Sequence, residues 1–158
     1  MMNYSLNFGI EVTENLNPSA ESETIVPPAT LEHSATGAAG RRSNPESSRL
    51  IAVTAARVCA ENNGTDIVIL DMTNHTAIFD YFVIATGTSR RQLHAMAEDI
   101  NQRLKKELKE KRMQMDGYEE SRWIVLDYGT VVIHLFDEET RQFYSLEALW
   151  GDAEKIPF

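Results

Sequence analysis

The stretch Asp80-Tyr-Phe-Val-Ile-Ala-Thr-Gly-Thr-Ser-Arg-Arg-Gln92 restricts the fold of this chain more than any other. Tyr81 to Ala85 is an unbroken run of aromatic, β-branched and small apolar residues, which predicts a buried strand. Gly87 permits a turn that a Cβ would resist, and Ser89 is a good N-cap for the residues that follow. The strand therefore passes almost directly into a helix, and a sheet with helices packed on it is the natural outcome. A strand, a glycine turn and a capped helix start also have the shape of a phosphate cradle. The same residues thus raise the question of whether the chain handles nucleotides.

The flanking sequence extends this pattern. Leu50, Val53, Thr54, Ala56, Arg57, Val58 and Ala60 suit a helix starting near Arg49, closed by Asn62-Asn63-Gly64 with Gly64 in the left-handed position. Asp66 to Met72 reads as a continuous apolar strand, joined by a polar connection with Asn74 and His75 to the Tyr81–Thr86 strand. From Ser89 to about Lys111, Leu93, Met96, Ala97, Ile100, Leu104 and Leu108 recur at spacings of three and four, one core-facing helical stripe. Met113 to Gly117 reads as a short edge strand. Trp123–Asp127 and Val131–Phe136 are apolar strands joined by Tyr128-Gly129-Thr130 as a tight hairpin. Glu138 to Trp150 closes the domain in short helical turns. The predicted class is α/β, a mixed sheet of about five strands flanked by helices.

Residues 1–48 differ in kind. They hold four prolines (Pro18, Pro27, Pro28, Pro45), with Tyr4 and Phe8 the only aromatics, and six glutamates against Arg41 and Arg42. Such a segment buries too little apolar area to offset its ordering entropy, and disorder is expected, apart from a short element near Tyr4–Ile10. Its acidity is unlike an organelle transit peptide, and it lacks the charged start and apolar core of a secretory signal. The folded domain is expected over residues 49–158. No apolar run approaches the roughly 20 residues of a membrane span. Cys59, the only cysteine, excludes an internal disulfide and fits a reducing compartment, a bacterial cytoplasm being the simplest. In its alanine-rich helical stretch it reads as a buried, inert thiol. The net charge of −9 argues against nucleic acid as the main ligand. Eight cations and four carboxylates between Arg90 and Arg112 read as the solvated face of the long helix.

Chemistry finds few footholds. His33, His75, His94 and His134 are scattered without paired cysteines, which gives no metal site; His134 reads as a hydrogen-bonded sheet residue and His94 as a surface residue. Ser89 lacks a nucleophile-elbow context and is explained by capping. A Gly-Thr-Ser turn after a strand is what a nucleotidyltransferase uses to hold a triphosphate, but two metal ions roughly 4 Å apart need paired carboxylates on an adjacent strand. Asp71, Asp80 and Asp127 stand singly at strand ends, and no phosphate loop or dinucleotide fingerprint is present. The cradle stands without a metal site, so neither an enzyme nor a cofactor is expected. A nucleotide-binding or nucleotidyltransferase-like module using Gly87-Thr88-Ser89 is the alternative.

The aromatic residues near the C-terminus point to binding. Trp123 starts a strand and Tyr128 sits in a turn, both places where side chains tend to be exposed, and exposed Trp and Tyr are typical interface anchors. Phe136, Phe143 and Leu149 are assigned to the core.

Asp66-Ile-Val-Ile-Leu-Asp71, the Asp80–Gln92 stretch, Trp123-Ile-Val-Leu-Asp-Tyr-Gly129, Val131-Val-Ile-His-Leu-Phe136 and Arg141-Gln-Phe-Tyr-Ser-Leu-Glu-Ala-Leu-Trp150 together resemble the ribosomal silencing factor (Iojap) family. The likeness runs in order from about Arg49 to Trp150. It implies a non-catalytic translation repressor with a fold like a nucleotidyltransferase that has lost its carboxylates. It further implies binding to the fourteenth protein of the large ribosomal subunit, blocking the small subunit. The family's contact surface corresponds here to Trp123 and the Tyr128 turn, where Gly129-Thr130 replaces the commoner Gly-Asp. Asp127 and Glu147 are expected as partners for basic residues at the rim. Free family members often look dimeric, so a homodimer is a further expected partner.

Overall fold

A computed structural model describes residues 44–158, so the expectations for residues 1–43, including the element near Tyr4–Ile10, lie outside it. The first helix, α1 (Pro45–Glu61), begins four residues before Arg49, within the segment expected to be disordered. The reason is local. Asn44 caps the helix by accepting from the Glu46 N–H at 3.2 Å, and Pro45 occupies the first position, where its missing N–H costs nothing. At the other end Asn63, not Gly64, takes the left-handed conformation with φ 58°. The Asn63 N–H donates to the Ala60 carbonyl and the Gly64 N–H to that of Cys59, at 3.0 and 2.8 Å, a closed two-bond helix stop.

After α1 come β1 (Thr65–Asp71), β2 (Tyr81–Gly87), α2 (Arg90–Arg103), β3 (Gln114–Asp116), β4 (Trp123–Asp127), β5 (Val131–Asp137), α3 (Glu138–Tyr144) and α4 (Leu146–Leu149). The five strands form one sheet in the order β1-β2-β5-β4-β3. Only β2 and β5 run parallel, in register from Tyr81↔Val131 to Gly87↔Asp137; the other neighbours are antiparallel. The mixed α/β sheet is therefore present as expected. The long helix stops earlier than its apolar stripe suggested. After Arg103 it loosens into a π-helical turn, Leu104–Leu108, and ends at Lys109, whose φ of 59° cannot continue a right-handed helix.

Both faces of the sheet are covered. On one, α1 and α2 lay Ile51, Ala55, Cys59, Leu93, Met96 and Ile100 against Val83, Ile124, Leu126 and Ile133. On the other, Phe82, Ile84, Trp123, Val125, Val132 and Phe136 are covered by Leu146, Ala153 and, partly, Tyr144 and Trp150. The end of the chain also covers the β1 edge, with the Ile156 N–H donating to the Ile69 carbonyl and the Asp71 N–H to that of Glu154.

Candidate functional site

The Gly-Thr-Ser turn is built as expected but is filled from within. Ser89 caps α2, its Oγ accepting from the Gln92 N–H at 3.2 Å. Gln92 then reaches back: its Oε1 accepts from the Thr88 N–H and hydroxyl at 2.7 and 3.0 Å. Its amide nitrogen donates to the carbonyls of Asn62 and Asn63. A phosphate in this turn would have to displace Gln92 from four hydrogen bonds. Gly87 has a packing role, since a Cβ there would stand 2.8 Å from Leu93 Cδ2 and 3.0 Å from Met96 Cε.

The register also separates the turn from the lone strand-end carboxylates. Asp71 pairs with Tyr81, Asp80 precedes it, and Asp127 pairs with Val132. All three stand where β2 and β5 begin, whereas Gly87 stands where β2 ends, six residues or about 20 Å away. At the Gly87 end, Asp137 caps α3 through the Thr140 N–H at 2.7 Å and binds Arg122 at 3.1 Å. Among the described residues no group of three His, Cys, Asp or Glu is placed to hold a metal. A cleft of about 360 Å³ does open near this end, lined among others by Asp66, Thr86, Glu138, Arg141 and Glu147. Its one arginine is engaged: Arg141 grips the Glu147 carboxylate with Nε and Nη2 and donates from Nη1 to the Thr86 hydroxyl at 2.7 Å.

The residues singled out for binding are more deeply set than their positions suggested. Trp123 is 7 % exposed and Tyr128 only 2 %, correcting the expectation that both side chains stand at the surface. They also face opposite ways. Trp123 belongs to the layer under α3 and α4 and Tyr128 to the layer under α1 and α2, because β-strand side chains alternate. The Trp123 indole donates to His134 Nδ1 at 3.2 Å, stacks on Phe136 at 4.8 Å and touches the Tyr144 ring at 4.9 Å. His134 is thus the bonded sheet histidine expected, and burial pushes its pKa down to about 3. Burial pushes the Tyr128 hydroxyl up to about 12.

Asp127 and Glu147 serve the fold. Asp127 is buried and its Oδ1 accepts from the Gly129 N–H at 2.7 Å, holding the hairpin turn in which Gly129 has φ 87°. Thr130 ties the same turn to the start of α1 through the Ser48 hydroxyl at 2.8 Å. Each carboxylate is thus already bonded within the fold, Asp127 buried and Glu147 partly exposed. The surface position falls to residues assigned to the core: Phe143 is 61 % exposed and Leu149 49 %, while Phe136 is buried as expected. Helices of seven and four residues are too short to turn all their apolar side chains inward. His94 is half-buried rather than a surface residue, stacked on Tyr118 at 4.0 Å with Nε2 close to the Tyr118 carbonyl and Ser121 Oγ. Cys59 is fully buried and its thiol pKa is pushed up to about 12, as an inert core cysteine should be.

Residues 45–158 match the family described as ribosomal silencing factor during starvation. The chain belongs to this family. Ribosomal silencing factor RsfS of Bacillus subtilis is 40% identical over 102 residues, 63% of this chain and 83% of that protein. The mouse protein named mitochondrial assembly of ribosomal large subunit protein 1 is 38% identical over 93 residues, 57% of this chain and 40% of its own length. A crystal structure of a Chromobacterium violaceum protein superposes with a TM-score of 0.62 at 34% identity, covering 70% of this chain and 90% of that one. The family assignment read from the sequence is therefore established, and with it the place of the chain among regulators of translation.

Proposed function

We propose that the chain represses translation by docking on the large ribosomal subunit, through its fourteenth protein, and blocking the small subunit sterically, in a bacterial cytoplasm. The family and the names of its members support the ribosome as target. One observation supports the mode: in a fold that buries Trp123, Tyr128 and Phe136, Phe143 is left 61 % exposed on the same short helix as the exposed carboxylates Glu138 and Glu139, the second of which also pairs with Arg122. An apolar centre with an acidic rim suits a basic ribosomal protein, and exclusion needs no chemistry, only occupancy. Trp123 then acts from behind, holding Tyr144, against which Phe143 packs edge-on at 5.0 Å. Glu147, through Arg141, fixes α3 to α4. Asp127 and Tyr128 shape the hairpin turn, whose half-exposed Gly129 and Thr130 lie at the other end of β4, about 17 Å from Trp123. A partner footprint of about 800 Å² spans that distance.

The test is sedimentation of the purified protein with bacterial large subunits, followed by addition of small subunits. Wild type should co-sediment and reduce joining. Phe143→Ala should keep its melting temperature and bind about 30-fold more weakly, the loss typical of a buried anchor. Wild type left at the top of the gradient would end the ribosomal reading. Unchanged binding by Phe143→Ala would end the assignment of this surface.

A further inference from the structure

Among the described residues, the arginines Arg103, Arg122 and Arg141 are committed to ion pairs with Glu61 and Glu107, Asp137 and Glu139, and Glu147. The lysines just after Arg103 are not. Lys105, Lys106, Lys109 and Lys111 are all exposed, and among the described residues none of them forms an ion pair. They are gathered on the π-helical turn and the loop behind it, with Arg112 half-buried beside them. Glu107 and Glu110 are the carboxylates in this stretch, and Glu107 is taken by Arg103 at 3.5 Å. A protein of net charge −9 thus carries a compact positive end on one corner.

The backbone makes this corner a fixed platform. Leu104 is fully buried and Leu108 packs against the core under α1 and α2, so the turn is pinned from inside while its lysines point outward. The Lys109 and Glu110 N–H groups both return to the Leu104 carbonyl, and Lys109 Nζ donates to the Lys106 carbonyl at 3.0 Å. Of the exposed cations read from the sequence as one solvated face, four are therefore gathered on this turn and the loop behind it, while Arg90 and Arg91 stand at the other end of α2.

We propose that this lysine platform contacts the phosphate backbone of ribosomal RNA beside the protein on which the domain docks. The proposal rests on the large-subunit reading above and adds a second, nucleic-acid contact to it. Four ammonium groups without a planar fork suit phosphates as point charges, without base recognition. An acidic protein landing on a ribonucleoprotein is repelled by RNA over most of its surface, and a positive corner turns that repulsion into orientation. A lipid surface fits less well, because an interfacial helix must offer apolar residues for insertion, and Leu104 and Leu108 face inward.

The full-length protein and a variant with Lys105, Lys106, Lys109 and Lys111 each changed to Gln are titrated against large subunits at about 50 to 200 mM salt. The same pair is titrated against deproteinised large-subunit RNA and against anionic lipid vesicles. With up to four phosphate contacts removed, the slope of log K against log salt should become shallower by about 3. The variant should bind subunits and bare RNA at least about tenfold more weakly at the low-salt end, with the same melting temperature. Equal affinity and slope on subunits would overturn the proposal while leaving the docking reading intact. Lysine-dependent binding to bare RNA without binding to subunits would sustain the RNA contact and remove the docking reading. Binding to neither, or lysine-dependent capture by vesicles alone, would overturn the RNA contact.

Discussion

The two faces of the sheet are sealed in different ways. Under α1 and α2 the layer is aliphatic and alanine-rich, with Ile51, Ala52, Ala55, Met96, Ala97 and Ile133 meeting across a helix–sheet interface set by the close approach of Gly87 to Leu93. Under α3 and α4 the layer is aromatic: Phe82, Trp123, His134 and Phe136 touch one another beneath helices of seven and four residues. Long helices close a face with many small contacts. Short ones leave the task to a few large rings, and each ring carries more of the stability. They also leave Phe143 and Leu149 outside. The better-sealed face is thus the scaffold, and the face closed by few rings is the one that offers a surface.

This contrast is broken most directly at Trp123. Replacing it by Ala removes the ring stacked on Phe136, the contact to Tyr144 and the donor to His134 together. A loss of about 3–5 kcal/mol in unfolding free energy is expected by urea titration. Weaker ribosome binding by that variant would then follow from a damaged support. A cost under about 1 kcal/mol would mean that the aromatic layer is not a structural unit.

Acid should act on the same face. His134 accepts the Trp123 N–H at Nδ1 and is fully enclosed, so a proton there breaks that bond and buries a charge. Its pKa is pushed from 6.5 to about 3 in the folded chain, so the unfolded chain binds the proton first as pH falls. The contribution is whole above pH 6.5 and is lost progressively down to about pH 3. Between pH 6.5 and 5, before most carboxylates titrate, unfolding free energy should drop by about 2 kcal/mol. His134→Phe should be less stable at neutral pH, because it orphans the indole donor, yet should have a flatter profile over that interval. An unchanged slope would show that another group sets it.

How far these faces could be read in the sequence follows from what fixes them. The alternation Trp123-Val125 against Ile124-Leu126 is local, so the opposite orientations of Trp123 and Tyr128 were implicit in the strand itself. Whether both sides are covered is not local. It depends on α3, α4 and the chain end returning over β1, β2 and β5, which position along the strand does not reveal. Expecting exposure failed for that reason at the strand start, Trp123, and at the turn because Tyr128 lies in the layer that α1 and α2 cover. The early start of α1 was legible in Asn44-Pro45-Glu46, a cap, a first-position proline and a first-turn acid. The π-helical turn was not, since Leu104 and Leu108 keep helical spacing through it.

The smallest effect is expected on the helix-covered face, at Tyr128. Its ring packs among residues under α1 and α2, and its hydroxyl, buried, meets no hydrogen-bond partner among the described residues. Tyr128→Phe keeps the ring and removes the unsatisfied oxygen, so stability at pH 7 should change by less than about 1 kcal/mol, in the stabilising direction. Alkali is the sharper probe. The folded pKa lies near 12 against 10 when unfolded, so the neutral phenol's contribution is whole below pH 10 and is lost as pH rises toward 12. Cys59, raised from 9 to about 12 by burial in the same layer, acts in the same direction. Tyr128→Phe should therefore lessen the fall in stability between pH 10 and 11 without abolishing it, with Cys59 and the phenols of Tyr81 and Tyr144, which burial also pushes up, supplying the remainder. The aromatic face would then weaken in acid through His134, and the helix-covered face in alkali through Tyr128 and Cys59. If Tyr128→Phe follows the wild-type curve throughout, the hydroxyl reaches solvent, and the hairpin turn, not the layer beneath α1, is where that side chain acts.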